Sequence, residues 1–228
     1  MLSLARILAV VLAAELADGG APLPAVGNHL EIELKTFEVF KEDSGPVNYY
    51  SVVSEAEGRM IRATYRLGLA SVVLFAPVPD VARKRVTKVS WRWRVHELPR
   101  DSNDCGPGFE DSAASVFIAF KAGLKLMALK YVWSTTGTPG TMCRSQRGWF
   151  FDRDTIVVEV GGPLEVWKAM EVDPRAEFVK HFDVKPEDVP DFVAIGVMTD
   201  GDSSHSPAAA DYADFVVRWA GESGHPSQ

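Results

Sequence analysis

Cysteine and histidine are scarce in this chain of 228 residues, and basic charge is short: two Cys, five His, and 24 Lys+Arg against 31 Asp+Glu, for a net charge of −7. The acidic balance, with no basic stripe, excludes a general nucleic-acid binder. Cys105 and Cys143 do not form Cys-x-x-Cys, which excludes thioredoxin-like redox chemistry and a cysteine zinc knuckle. The histidines (His29, His96, His181, His205, His225) show no ligand spacing. There is no Gly-x-Ser-x-Gly elbow, Walker loop, dinucleotide glycine fingerprint or His-Glu-x-x-His pair. Long apolar runs are missing too. The longest, Ile7 to Ala14, is far short of the roughly 20 residues a helix needs to cross a bilayer.

That run follows Arg6 and is closed by Glu15, the pattern of a signal-peptide core. The alternative is a buried N-terminal helix. Ala13, Ala14, Ala17 and Ala21 allow several cleavage points. Residues 1–21 are therefore expected to be an export signal and 22–228 one domain, periplasmic or secreted and not membrane-spanning after signal removal. In an oxidising compartment two loop cysteines are candidates for one disulfide, the alternative being two free thiols.

The aromatic content, 12 Phe, 6 Trp and 5 Tyr, rules out disorder. The dominant period is two. Val86 to His96 is the clearest strand: Val89, Trp91, Trp93 and Val95 alternate with Lys88, Ser90, Arg92, Arg94 and His96. Short strands are also expected at Tyr49–Ser54, Met60–Leu67, Ser71–Phe75, Ser115–Lys121, Lys125–Trp133, Thr155–Val160, Glu177–Phe182, Phe192–Thr199 and Phe215–Trp219, with a looser one at Glu31–Phe40. A helical turn is expected at Pro186–Val189, and Leu164–Met170 reads as helix or irregular. This pattern predicts an all-β fold: a two-sheet antiparallel sandwich of jelly-roll type with one or two short helical turns.

Trp91 and Trp93 read as core, since Val89 and Val95 share their face; the alternative is a sugar-stacking platform. The charged face then becomes informative. Arg92 and Arg94, with Lys130 and Glu159 from other strands, are expected to line one concave sheet; guanidinium forks suit carboxylate, phosphate or sugar hydroxyls. The alternative is a solvated outer face.

Thr199 to His205 is rich in acids and hydroxyls, and Asp211 follows. Asp200, Asp202 and Asp211 are candidate Ca²⁺ ligands, because alternate carboxylates are what a hard cation takes. An EF-hand is rejected: His205 stands where its glycine belongs, and strands flank the loop. The alternative is a plain turn. Asp200 and Asp202 repel one another, so Ca²⁺ or one of Arg92, Arg94 and Arg218 is expected beside them.

Ser90 to Val95, Asp111 to Phe120, Tyr131 to Trp133, Glu159 to Gly162 with Trp167, Gly196 to Asp202 and Asp211 to Phe215, taken in that order, resemble a bacterial exported family catalogued as domain of unknown function 3047. The resemblance spans about Leu30 to Trp219 and implies an exported, β-rich, jelly-roll-like domain. It implies no activity, so no catalytic residue is assigned, and the cysteine pair stands outside its pattern.

The resulting expectation is an exported binding module for a saccharide or related polar ligand on the concave sheet face, with a saccharide or cell-envelope polymer as its partner. Its candidate ligand-binding residues are Arg92, Arg94, Asp111, Lys130, Trp133, Glu159, Asp200 and Asp202. The alternatives are a glycoside-active enzyme pairing Glu159 with Asp111 or Asp200, and a structural envelope protein. No carboxylate pair sits at a diagnostic spacing, which places the enzyme second.

Overall fold

The computed structural model describes residues 28–39 and 49–221. The expected signal segment lies outside the described residues.

Two sheets pack face to face. The first runs β11 (Lys168–Val172), β6 (Val86–Glu97), β13 (Ala208–Trp219), β4 (Gly58–Tyr65) and β3 (Tyr50–Glu55), with β1 (His29–Glu31) also pairing β13. The second runs β2 (Glu38–Val39), β5 (Leu74–Pro77), β12 (Asp191–Met198), β7 (Ala114–Ala122), β8 (Lys125–Ser134), β10 (Phe151–Val160) and β9 (Met142–Gln146). Pairing is antiparallel except between β8 and β10, which run parallel. This is the all-β jelly-roll sandwich that the period-two pattern predicts.

Helix is more plentiful than expected. Short turns lie at Leu34–Thr36, Asp80–Arg83 and Pro186–Asp188, the last inside the expected Pro186–Val189 turn. The expected strand Glu177–Phe182 is instead the end of a helix, Pro174–Phe182. Its start is encoded locally. The Asp173 carboxylate accepts from the Arg175 and Ala176 amides, both at 3.0 Å, and Pro174 occupies the first turn. Asp183 ends it in the left-handed region. Leu164–Met170 is irregular and then enters β11.

The core is set by β6. Val89, Trp91, Trp93 and Val95 are at most 1% exposed and face the second sheet. Trp91 and Trp93 meet edge to face at 5.7 Å. Trp91 then packs on Tyr131, 5.5 Å between centroids, and Trp93 on Trp133 at 6.1 Å, both from β8. These aromatic contacts tie the middle of one sheet to the middle of the other. Gly196 on β12 lies beneath the Phe75 ring, where a Cβ would come within 2.7 Å, so the strand needs glycine for this close approach.

Trp93→Ala is expected to cost about 3–5 kcal/mol in denaturant unfolding, because it empties a fully buried tryptophan position of the core. A cost below about 1 kcal/mol would mean the ring does not fill this space.

Candidate functional site

Because Trp91 and Trp93 pack against Tyr131 and Trp133, the opposite faces of β6 and β8 point away from each other. Arg92 and Arg94 therefore stand on the outer face of the first sheet, and Lys130 belongs to the second. The single concave face expected to carry Arg92, Arg94, Lys130 and Glu159 does not form. Glu159 on β10 has Lys168 Nζ at 3.9 Å. Trp133 is 1% exposed, with its indole N–H donating to the Gly161 carbonyl at 2.7 Å; it is a core residue and lies out of reach of a ligand.

The outer face of the first sheet is organised by register. Asp211 on β13 is the cross-strand partner of Arg62 on β4 and of Arg94 on β6, so one carboxylate lies between two guanidiniums. The Asp211 side chain is fully buried. Arg62 donates through Nε to Oδ1 and through Nη2 to Oδ2, both at 2.9 Å. Arg94 Nε donates to Oδ2, also at 2.9 Å. His96 Nε2 lies 2.8 Å from Oδ2. Burial alone would raise the Asp211 carboxyl, but His96, Arg62 and Arg94 outweigh it and hold it well below its ordinary value.

Glutamates form a second ring around these cations. Arg94 Nη1 donates to Glu57 and Nη2 to Glu55, both at 2.8 Å, and Arg62 Nη2 donates to Glu55 at 2.7 Å. Glu57 also accepts from the Trp167 indole at 2.8 Å. The Cζ atoms of Arg92 and Arg94 each sit 4.8 Å from the centroid of that ring, a cation–π arrangement. Arg92 also pairs with Asp214. Glu165 reaches His96 Nδ1 at 2.7 Å, and Arg66 pairs with Glu97 at 2.9 Å. Beside this lattice lies an open groove of about 650 Å³, lined by Arg62, Thr64, Arg66, Arg94, His96 and Glu165 among others.

The acid-rich loop is elsewhere. Asp111, Asp200 and Asp202 converge, with one carboxylate oxygen from each within 4.8 Å of the others. Asp211 is not among them, and the candidate cation set is corrected accordingly: its carboxylate belongs to Arg62 and Arg94, and Asp111 takes its place. Asp111 accepts from the Ser203 and Ser204 amides at 3.1 and 2.7 Å, and Asp200 from the Ser112 amide at 2.9 Å. Gly201 makes the tight loop possible, since a Cβ there would lie 2.0 Å from the Ser206 carbonyl oxygen. Arg92, Arg94 and Arg218 are committed on the first sheet, to Asp214, Asp211 and Glu171. Beside the acid loop, Lys130 lies 2.6 Å from Asp104, whose other oxygen accepts from the Ser112 hydroxyl, and Arg100 Nη2 donates to the Ser204 carbonyl at 2.8 Å. Burial pushes Asp200 up to about 8, with Lys130 opposing and Asp104 and Asp111 adding to the rise. The Cys105–Cys143 disulfide anchors this segment: it joins the loop carrying Asp104 to β9, with 5.4 Å between Cα atoms.

Arg62, His96, Glu55, Glu57, Glu165 and Trp167 are absent from the sequence-derived candidates. Only His96, at the end of the alternating strand, and Trp167, within the family-like stretch, carried a local signal. The remainder depends on strand register.

The imidazole of His96 sits between two carboxylates. The Asp211 carboxylate, then Glu165, raises its pKa against the opposing effect of burial. A raised folded-state value means the stabilisation is complete below about 6.5 and is lost as pH rises through the folded value. The stability gap between the parent and His96→Gln is therefore expected to be widest near about pH 6 and to shrink towards about pH 9 in denaturant titrations. A gap independent of pH would contradict this charge arrangement.

Several solved structures align with most of this chain at low similarity. A family 11 carbohydrate-binding module from Clostridium thermocellum, in complex with a β-1,3-1,4-mixed-linked tetrasaccharide, is 11% identical with a TM-score of 0.40, covering 88% of this chain and 94% of that one. Endoglucanase Cel12A from Rhodothermus marinus is 13% identical with a TM-score of 0.41, covering 84% and 99%. The xyloglucanase domain of NopAA from Sinorhizobium fredii, in complex with cellobiose, is 9% identical with a TM-score of 0.40, covering 86% and 100%. No curated protein matches the sequence. A family model described as protein of unknown function (DUF3047) matches residues 37–216. Its span takes in the Trp-Arg-Trp-Arg strand, Trp167 and the Asp200–Asp202 loop, and the chain belongs to the DUF3047 family.

Proposed function

We propose that the protein is an exported module that binds a neutral saccharide or similar polyhydroxyl ligand in the groove on the outer face of the first sheet. The observation that carries this reading is the interleaving of donors and acceptors along the groove. Arg62, Arg66, Arg94 and His96 alternate with Glu55, Glu97 and Glu165, and each cation is already paired. A groove neutralised from within offers little to a free ion. It suits hydroxyls, which donate and accept at once and can insert between fixed guanidinium and carboxylate groups. Ordering of those groups by buried Asp211 lowers the entropy lost when a ligand binds. Export is supported by the Arg6 to Glu15 pattern and by the disulfide, which suits an oxidising compartment.

Glu165 and Arg66 are the positions to test, because their side chains are more than half exposed and tolerate truncation. Glu165→Ala and Arg66→Ala are each expected to weaken retention on a panel of immobilised neutral oligosaccharides about three- to tenfold, the loss of one charged hydrogen bond. Unchanged retention in both variants, or no retention of the parent, would overturn the reading. Incubation with the same panel is expected to release no new reducing ends.

A second site reading rests on the convergence of Asp111, Asp200 and Asp202, which we propose as a Ca²⁺ position. The Asp111 oxygens each accept one backbone amide and Asp200 Oδ1 accepts another, which leaves lone pairs on the trio for hard-cation coordination. A chelator is expected to lower the melting temperature by a few degrees, and exposed Asp202→Asn to remove that sensitivity. Identical melting with and without chelator in the parent would exclude calcium here.

A further inference from the structure

Trp149 is 92% exposed, in the turn that leads into β10. Phe150 beside it is 47% exposed, and Leu124, at the tip of the β7–β8 hairpin, is 65% exposed. The two tips are neighbours. The Leu126 amide donates to the Phe150 carbonyl at 2.9 Å, and Phe151 is the register partner of Leu126. Three large apolar side chains from two adjacent loops therefore stand in water at one end of the second sheet. Single exposed apolar residues are ordinary; a grouped set led by a bare indole marks a contact surface.

The charge around the tip is arranged by depth. Lys125 pairs with Asp152, with 2.8 Å between Nζ and Oδ2, and Arg147 pairs with Asp154. Both carboxylates are buried, whereas each cation keeps 36% of its side chain in solvent. Of these two pairs it is the cations that face outward, on a chain whose net charge is −7.

We infer that this tip docks on the interface of an anionic bilayer. Trp149, Phe150 and Leu124 would enter the boundary between headgroups and acyl chains, with Lys125 and Arg147 at the level of the phosphates. Indole favours that boundary, and outward cations turn an otherwise acidic protein tip-first towards an anionic surface. A saccharide fits this surface less well. A stacking ring needs hydrogen-bonding groups beside it to read hydroxyls, but Phe150 and Leu124 flank Trp149, and the nearby carboxylates are committed to Lys125 and Arg147. A second copy docking symmetrically would set Lys125 and Arg147 against their own equivalents.

The test is co-sedimentation of the full chain with phosphatidylglycerol/phosphatidylcholine vesicles and with phosphatidylcholine alone, comparing the parent, Trp149→Ala and Trp149→Ala/Leu124→Ser. The apolar Ile7–Ala14 run is common to all three chains and cancels in the comparison. The parent is expected to partition more strongly onto the anionic vesicles. The single variant should lose about tenfold and the double variant more, with melting temperatures unchanged. The proposal is overturned by absence of parent binding, by equal partitioning of all three chains, or by no preference for anionic lipid. It is equally overturned if the substitutions abolish self-association or oligosaccharide retention and leave vesicle binding intact.

Discussion

Burial of the Asp211 carboxylate is the constraint on which the outer face of the first sheet depends. A carboxylate without solvent access is tolerated only when its lone pairs are filled and its charge is matched. Here the strand order supplies both conditions. β13 lies between β4 and β6, so Arg62 and Arg94 arrive from either side in register, and His96 adds a third contact. Once those guanidiniums are fixed, their remaining donors hold Glu55 and Glu57, and Glu57 in turn holds the Trp167 indole. Removing the central acid would leave a buried guanidinium facing carboxylates arranged for a geometry that no longer exists.

The same strand that presents Arg92 and Arg94 outward carries Trp91 and Trp93 inward. Core and groove are therefore coupled through one backbone: a one-residue slip of β6 would place indoles in water and guanidiniums between the sheets. The aromatic contacts to Tyr131 and Trp133 fix the register from the inside, and the Asp211 lattice fixes it from the outside. The acid loop is held by different means. It relies on backbone amides at Ser112, Ser203 and Ser204, on the Lys130–Asp104 pair and on the disulfide beside it. The molecule thus carries two polar centres built on opposite sheets.

What was legible in the sequence was what is encoded within a few residues. The alternation of Val86 to His96 shows which side chains enter the core, because a strand places successive residues on opposite faces. The jelly-roll class follows from many short strands punctuated by Gly, Pro and Asp. Even the helix Pro174–Phe182 had a local signal, the Asp173-Pro174 start, which the apolar run Phe178–Val179 obscured. The groove was not legible for the opposite reason. Arg62 and Asp211 are 149 positions apart, and Arg94 and Asp211 are 117 apart, so their meeting is set by sheet order and not by spacing. The grouping of Lys130 with Arg92 failed on the same ground. Outward residues of two strands share a surface only if the strands share a sheet, and nothing local states which sheet a strand joins.

The central claim is that the ligand enters the groove on the outer face of the first sheet, which is lined by Arg94, the guanidinium packed on Trp167. The Trp167 indole N–H, hydrogen-bonded to Glu57, is a direct reporter, distinguishable from the core indoles of Trp91, Trp93 and Trp133 by its solvent access. An NMR titration with neutral oligosaccharides, following the tryptophan indole resonances, is the most direct measurement. The account predicts saturable shifts at Trp167 and in the backbone of Thr64, His96 and Glu165, with the core indoles unmoved. Shifts confined to the Asp111–Asp200–Asp202 loop or to Trp149, with Trp167 silent, would contradict it.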